Sequence, residues 1–316
     1  MANKFVPVSG REMPRFSGIK TFFRMPHVEP VSDYDVGIVG VPFDGGSSYR
    51  TGQRFGPLGV REVSSLGRVF HWGRMQSFTE KIRVADIGDI PIVPVDLAKS
   101  YQRIEDFYDK VLSGSSRRLI AVGGDHSVTL PMLRAVRKSV GKPVRVIHFD
   151  AHMDTYPAAW DCEYHHGSFL RHAVEEGLVN AAGSLQIGLR GPLAGRDDLD
   201  FIQKHGLRVA QVDDIRRGAG VSDFIKTLPD FGDDPTYITF DVDCLDPAYA
   251  PGTGTPVPGG LTTYETQQIL RALRVKRLVG ADVVEVLPAY DSSEITQLAA
   301  MDTLFEILGL MVGSTR

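Results

Sequence analysis

Residues 144–154 read VRVIHFDAHMD, a short apolar run that stops at Phe149 and passes directly into a cluster of aspartate and histidine. The run has the length and the valine and isoleucine content of a strand buried on both faces. The same arrangement continues outward in both directions. Apolar runs recur at 36–41, 83–87, 118–122, 185–189, 207–212, 237–240 and 278–284, and amphipathic segments lie between them at 97–112, 127–140, 167–176, 197–205, 262–273 and 294–312. Strands that alternate with helices pair in parallel, because each helix carries the chain back to the starting edge of the sheet. The expected fold is therefore α/β: a single three-layer αβα domain with a mostly parallel sheet of about eight strands. Ser127 and Thr263 stand where helix caps are expected.

Residues 1–34, with prolines, glycines and irregular apolar spacing, read as an arm lying on the domain or on a neighbouring subunit, and 35–316 as the domain. No fixed-period repeat and no low-complexity tract interrupts it. With 42% hydrophobic and 23% charged residues the 316-residue chain has the composition of a globular protein. Its 39 acidic and 35 basic residues are well mixed, which leaves no basic tract for a nucleic acid. Cys162 and Cys244 form no CxxC pair, and the amino terminus has no apolar signal core. The most apolar late stretch, 304–312, contains Glu306 and is too short to span a bilayer. These features lead to the expectation of a cytoplasmic protein with neither nucleic acid nor membrane as partner.

Three segments place acids and histidines where a strand ends: GGDH (123–126), DAHMD (150–154) and DVDCLDP (241–247). In a parallel sheet the carboxyl ends of the strands share one crevice, so these distant segments converge. The i, i+2 pairs Asp150/His152 and Asp241/Asp243 fall on one side of an extended backbone, and each pair can grip one site. Four carboxylates packed together repel one another unless cations compensate them. The expected metal set is His126, Asp150, His152, Asp154, Asp241 and Asp243, holding two divalent ions. Its oxygen and imidazole donors favour manganese and leave nickel or zinc as alternatives. Cys244, next to Asp243, faces the other way into the core. Asp125 is read as the partner that orients a ligating histidine. The loop 251–260 lacks the GxxxxGK[ST] order of a phosphate loop and is read as a shaped active-site loop.

In order and spacing, GGDH, DAHxD, His166–Gly167, DxDxxDP and VEV (284–286) resemble the ureohydrolases, the arginase and agmatinase family, over nearly the whole chain. The stretches VPFDGGSSYRTGQRFGP (41–57), IRVADIGD (82–89) and PAYAPGTGTPVPGG (247–260), with MPRFSGIKTFFRMP (13–26) in the arm, resemble the agmatinase and guanidino-acid hydrolase branch more than arginase itself. The resemblance implies that His126, Asp150, Asp154 and Asp241 hold one metal and Asp150, His152, Asp241 and Asp243 the other, with Asp150 and Asp241 bridging. It implies that Glu285 receives the guanidinium and that His166 shuttles protons, with His165 as the near rival. It also implies a homo-oligomer, a trimer or hexamer.

The expected reaction is hydrolysis of a guanidino compound to urea and an amine, because a resonance-stabilised cation needs a nucleophile generated near neutral pH by a metal pair. Agmatine is the leading substrate. Guanidinobutyrate, guanidinopropionate, guanidine, substituted guanidines and biguanides are the alternatives, and a non-catalytic partner subunit or a lysine-deacylase-like amide hydrolase the competing classes. Two departures from the family pattern, Met153 within DAHMD and Leu287 after VEV, are expected to line the pocket and to favour a smaller or more apolar tail. Tyr156, Trp160 and Asp161, together with Glu163, lie in the loop after the metal motif, where specificity is expected to be set, the acidic pair receiving an amine tail.

Overall fold

The computed structural model describes residues 5–193 and 195–314. Eight strands form the central sheet: β1 (Val36–Val41), β2 (Val84–Asp89), β3 (Arg118–Gly123), β4 (Arg145–Phe149), β5 (Leu185–Leu189), β6 (Arg208–Gln211), β7 (Thr236–Asp241) and β8 (Leu278–Val284). Their order is β2-β1-β3-β8-β7-β4-β5-β6, and every neighbouring pair is parallel.

The strands carry apolar residues on both faces, which is why they read as continuous runs and not as alternating ones. Val36, Ile38, Ile120, Val122, Ile147, Phe149, Ile238 and Phe240 belong to one core. Val39, Val41, Leu119, Ala121, Val146 and Tyr237 belong to the other. The first core is covered by α1 (Gly56–Ser64), α6 (Val212–Ile215), α7 (Val221–Thr227), α8 (Thr263–Ala272) and α9 (Ile295–Gly313). The second is covered by α2 (Leu97–Leu112), α3 (Thr129–Val140), α4 (Phe169–Glu175) and α5 (Asp197–His205). Two helical layers thus enclose one sheet.

Several local expectations are corrected. Helix α1 was not expected, because its sequence GPLGVREVS opens on glycine and proline. Pro57 sits in the first turn, where its missing N–H costs nothing, and Val60 and Val63 bury the helix. Val212, expected to end a strand, instead opens α6, and α7 was also missed. Ser127 does not cap: Asp125 does, accepting the Ser127 N–H at 2.9 Å. Likewise Thr262, not Thr263, caps α8 in a reciprocal box with Glu265.

Phe22, Phe23 and Met25 of the arm are buried in the first core. The Phe22 N–H donates to Asp86 at 3.0 Å and the Phe23 N–H to Ser64 at 3.0 Å, so this part of the arm packs on its own chain. Helix α9 is long and apolar enough by composition to cross a membrane, but it packs against α1, α8 and β8 and two-thirds of its most apolar window is buried there.

Candidate metal centre and active site

The four strands β3, β8, β7 and β4 are adjacent at the centre of the sheet, and each sends acidic or histidine side chains past its carboxyl end. After β3 the chain turns through Gly124, where an added Cβ would lie 1.5 Å from the Phe43 carbonyl oxygen, so only glycine fits. Asp125 and His126 come next, both fully buried.

His126 Nδ1 lies 3.1 Å from Asp150 Oδ2, 3.0 Å from Asp154 Oδ2 and 3.3 Å from Asp241 Oδ2. It is buried and makes no hydrogen bond. A ring nitrogen aimed among three carboxylate oxygens without a hydrogen bond is the arrangement a divalent cation completes. The second group is built around His152, whose Nδ1 is 3.3 Å from Asp150 Oδ1 and 3.1 Å from Asp243 Oδ2. Asp150 belongs to both groups, one oxygen in each. The residues present therefore fit a pair of cations. Two groups led by two histidines exceed what a single-ion deacylase site requires.

The i, i+2 pairs converge by a route the alternation argument did not contain. Asp150 Oδ1 accepts the His152 N–H at 2.6 Å, and Asp241 Oδ1 accepts the Asp243 N–H at 2.7 Å. Each aspartate closes a tight turn on the residue two ahead, and Asp243 stands in a 3-10 turn, not on an extended backbone. Asp154 completes the first group in a left-handed conformation, φ 51°.

Burial and mutual repulsion divide the carboxylates. Asp241 is pushed well above the carboxylate range by burial and then by Asp243 and Asp150. Asp243 is raised by burial and by Asp150. Burial also opposes the charge on Asp150, but the flanking histidines, His148 first, hold its carboxyl well below that range. His126 is likewise held charged against burial by Asp150, Asp154 and Asp241. Such a site gathers more negative charge than its own protons settle evenly, which is the electrostatic case for cations.

Two supporting contacts were not legible. His126 Nε2 lies 2.8 Å from Thr239 Oγ1, and Thr239 bonds to the buried Asp282 carboxylate, which also accepts from Tyr237 at 2.8 Å and Thr129 at 3.1 Å. His148 Nε2 lies 2.8 Å from Asp150 Oδ2, while its Nδ1 accepts from Gln186 at 3.0 Å. Asp125, expected to orient a histidine ring, does not touch one: its carboxylate is captured by the N–H groups of Gly46 and Ser127. The partner of the His126 ring is Thr239.

Glu285, φ 66°, is fully buried behind His166. Its Oε1 accepts from His126 N at 2.9 Å and faces His166 Nδ1 at 3.0 Å, and its Oε2 accepts from Gln53 at 2.7 Å. His166 Nε2 is 2.7 Å from Ser48 Oγ. Burial works against the imidazolium, but Glu285 more than offsets it and the His166 ring is pushed up to about 9. His165 instead bonds the Pro157 carbonyl at 3.0 Å and fixes the loop.

A cavity of about 380 Å³ opens above the metal groups, with His152, Asp154 and Asp241 at its floor and Ser48, Tyr156, Trp160, His166, Asp198 and Thr255 on its walls. A cavity of about 420 Å³ near Arg208 and Phe224 holds no comparable cluster. Tyr156 and Trp160 are both on its wall. Met153 does not line the cavity; it is 3% exposed and packed in the second core, while His152 and Asp154 on either side of it line the cavity. Leu287 is also fully buried. Asp161 and Glu163 are exposed and absent from the cavity wall, and Asp198, from α5, is the carboxylate that stands there. Ser48 and Gln53 both come from the loop after β1, a glycine-rich polar stretch at a strand's carboxyl end, and that position was the available signal.

A family profile described as "Arginase: Arginase family" matches residues 34–309. The chain is 44% identical to guanidinopropionase of Pseudomonas aeruginosa over 98% of this chain and 96% of that one. It is 43% identical to agmatinase of Salmonella enteritidis over 91% of each. The solved structure of proclavaminate amidinohydrolase from Streptomyces clavuligerus superposes with a TM-score of 0.87 at 39% identity, covering 96% of this chain and all of that one (100%).

Proposed function

Because the chain belongs to the arginase family, hydrolases of guanidino C–N bonds, we propose that it is a binuclear amidinohydrolase of the agmatinase type, releasing urea and an amine. His126, Asp150, Asp154 and Asp241 would hold one ion and Asp150, His152, Asp241 and Asp243 the other, manganese first and nickel second. When bound, such a pair supplies a nucleophile at neutral pH and offsets the carboxylate charge.

The remaining chemistry falls to side chains. A carboxylate has about four acceptor positions. Three of those on Glu285 are used, by His126 N, His166 and Gln53, and the carboxyl is fully buried and off the cavity wall, so Glu285, expected to receive the guanidinium, acts here through His166. The acidic floor of the cavity orients the cation. His166 carries the proton that the departing nitrogen needs. Tyr156 and Trp160, on the cavity wall, offer aromatic faces to the tail.

One observation carries the agmatine assignment: among the described residues the cavity wall contains no lysine or arginine, and its carboxylate outside the metal groups is Asp198. A carboxylate tail would meet no cation there, whereas an amine tail meets Asp198 and aromatic faces. The similarity to guanidinopropionase favours a second reading, hydrolysis of a guanidino acid. The two are separated by urea release from manganese- and nickel-loaded protein across agmatine, arginine, guanidinobutyrate, guanidinopropionate and guanidine. Turnover of agmatine above the acids is the expected result; turnover of an acid alone would replace the first reading by the second. A cytoplasmic trimer or hexamer belongs to the same proposal and is checked by light scattering.

A further inference from the structure

We propose that Ser48 is a catalytic residue, the outer member of a relay in which His166, held by Glu285, passes a proton through Ser48 to the nitrogen that leaves as the amine; this rests on the amidinohydrolase reading above.

The inner end of the relay is fixed. Glu285 is fully buried and anchored by His126 N and Gln53 as well as by His166. Its outer end is held twice. Ser48 Oγ is 2.7 Å from His166 Nε2, and the His166 backbone N–H donates to the Gly46 carbonyl at 2.9 Å, two residues before Ser48. Gly46 is itself pinned, its N–H donating to Asp125 at 2.7 Å. The loop that carries the hydroxyl is therefore tied to the residue that carries the imidazole.

Both ring nitrogens of His166 are engaged, Nδ1 by Glu285 and Nε2 by Ser48. An imidazolium donates at both. Ser48 Oγ then accepts, and its own hydrogen must turn away from the ring. Ser48 is exposed and lines the cavity above the metal groups, so that direction opens on the substrate. The position of His166 pKa, up to about 9, keeps the ring in this doubly donating state near neutrality. For His166 to protonate the substrate directly it would have to break the Ser48 contact; through the hydroxyl it need not move.

The step balances. The C–N bond breaks with its electron pair going to nitrogen, while the oxygen added to that carbon closes the C=O of urea and gives up its hydrogen to solvent. That nitrogen takes the Ser48 Oγ hydrogen as Oγ takes the Nε2 hydrogen of His166. The hydroxyl is regenerated, and the imidazole is left neutral with Nδ1–H still on Glu285. A solvent proton restores it for the next turnover.

The test uses manganese-loaded wild type, Ser48→Ala and Ser48→Thr on the substrate the wild type turns over, and on its isostere with oxygen in place of the methylene next to the guanidino nitrogen. The isostere expels a far less basic nitrogen and needs little help from an acid. Ser48→Ala is expected to lower kcat about 10²-fold on the first substrate and under about 10-fold on the isostere, with KM nearly unchanged, while Ser48→Thr retains most of the activity. Equal losses on both substrates, or none, overturn the relay and leave the amidinohydrolase reading standing. A folded, metal-loaded wild type that releases urea from no guanidine overturns that reading, and the relay falls with it.

Discussion

His126 Nε2 and Thr239 Oγ1 stand 2.8 Å apart in the buried centre of the sheet, and this contact turns Nδ1 of the same ring toward three carboxylates. Thr239 is itself oriented by the buried Asp282 carboxylate, so the tautomer that presents a lone pair to a cation is fixed from behind. Thr239→Val keeps the shape and removes the bond. It is expected to weaken metal binding about 10–100-fold, read by calorimetric titration of manganese into the metal-free protein. Unchanged affinity would show that packing alone holds the ring.

Metal removal should also register in stability. Asp241 and Asp243 are raised by burial and by their neighbours, a cost that bound cations relieve. At metal concentrations about 100 times Kd the folded state gains about 2.7 kcal/mol for each ion bound. A chelator that removes both is therefore expected to lower Tm by about 8 °C, and manganese to restore it. Identical melting curves with and without chelator would argue against a buried cation site.

The titration of His166 has a definite sign. Its folded pKa is raised from 6.5 to about 9 by Glu285, so its contribution to stability is complete below 6.5 and is lost as pH rises through about 9. The contribution is about 3 kcal/mol as an order of magnitude. Activity that depends on the imidazolium should fall across the same alkaline limb. In Glu285→Gln the His166 ring, followed by NMR, is expected to titrate near or below its ordinary value, and persistence near 9 would remove Glu285 as the cause.

Asp198 offers a test of the tail assignment. Asp198→Lys is expected to lower kcat/KM for agmatine about 10-fold and to raise it for guanidinobutyrate, since one charge reversal at the wall is worth on the order of 1 kcal/mol or more. A parallel drop for both substrates would mean that the wall does not read tail charge.

Much of this site is legible in the sequence because strand ends are. The runs ending at Val41, Phe149 and Val284 are apolar on both faces, and the residues directly after each must sit in the common crevice. The pairs Asp150/His152 and Asp241/Asp243 stand in that crevice, although the device that brings each pair together is a turn closed by the first aspartate and not simple alternation. Met153 stands between two cavity-lining residues, yet the turn after β4 buries it in the second core, a direction that spacing alone does not give. The carboxylate on the tail wall could not be found by proximity: Asp198 arrives from α5, 44 positions after Asp154, while the nearer Asp161 stands in a left-handed turn, φ 56°, on the outside. Thr239 and Asp282 are likewise invisible as supports, because an isolated strand threonine or aspartate gives no hint of which ring lies above it. Pairings of that kind are chosen by the packed sheet.

The metal groups stand on the ends of three of the four central strands, β3, β4 and β7, whereas Ser48, Tyr156, Trp160, Asp198 and Thr255 are contributed by connecting segments or helix starts. Inheritance can therefore act on the two parts separately. A lineage can exchange a handful of wall residues and change its diet while the reacting centre is copied intact, and whole-chain identity hardly registers the exchange. A chain can then stand about equally close to relatives named for an acid and for an amine, and its own preference is written in very few positions.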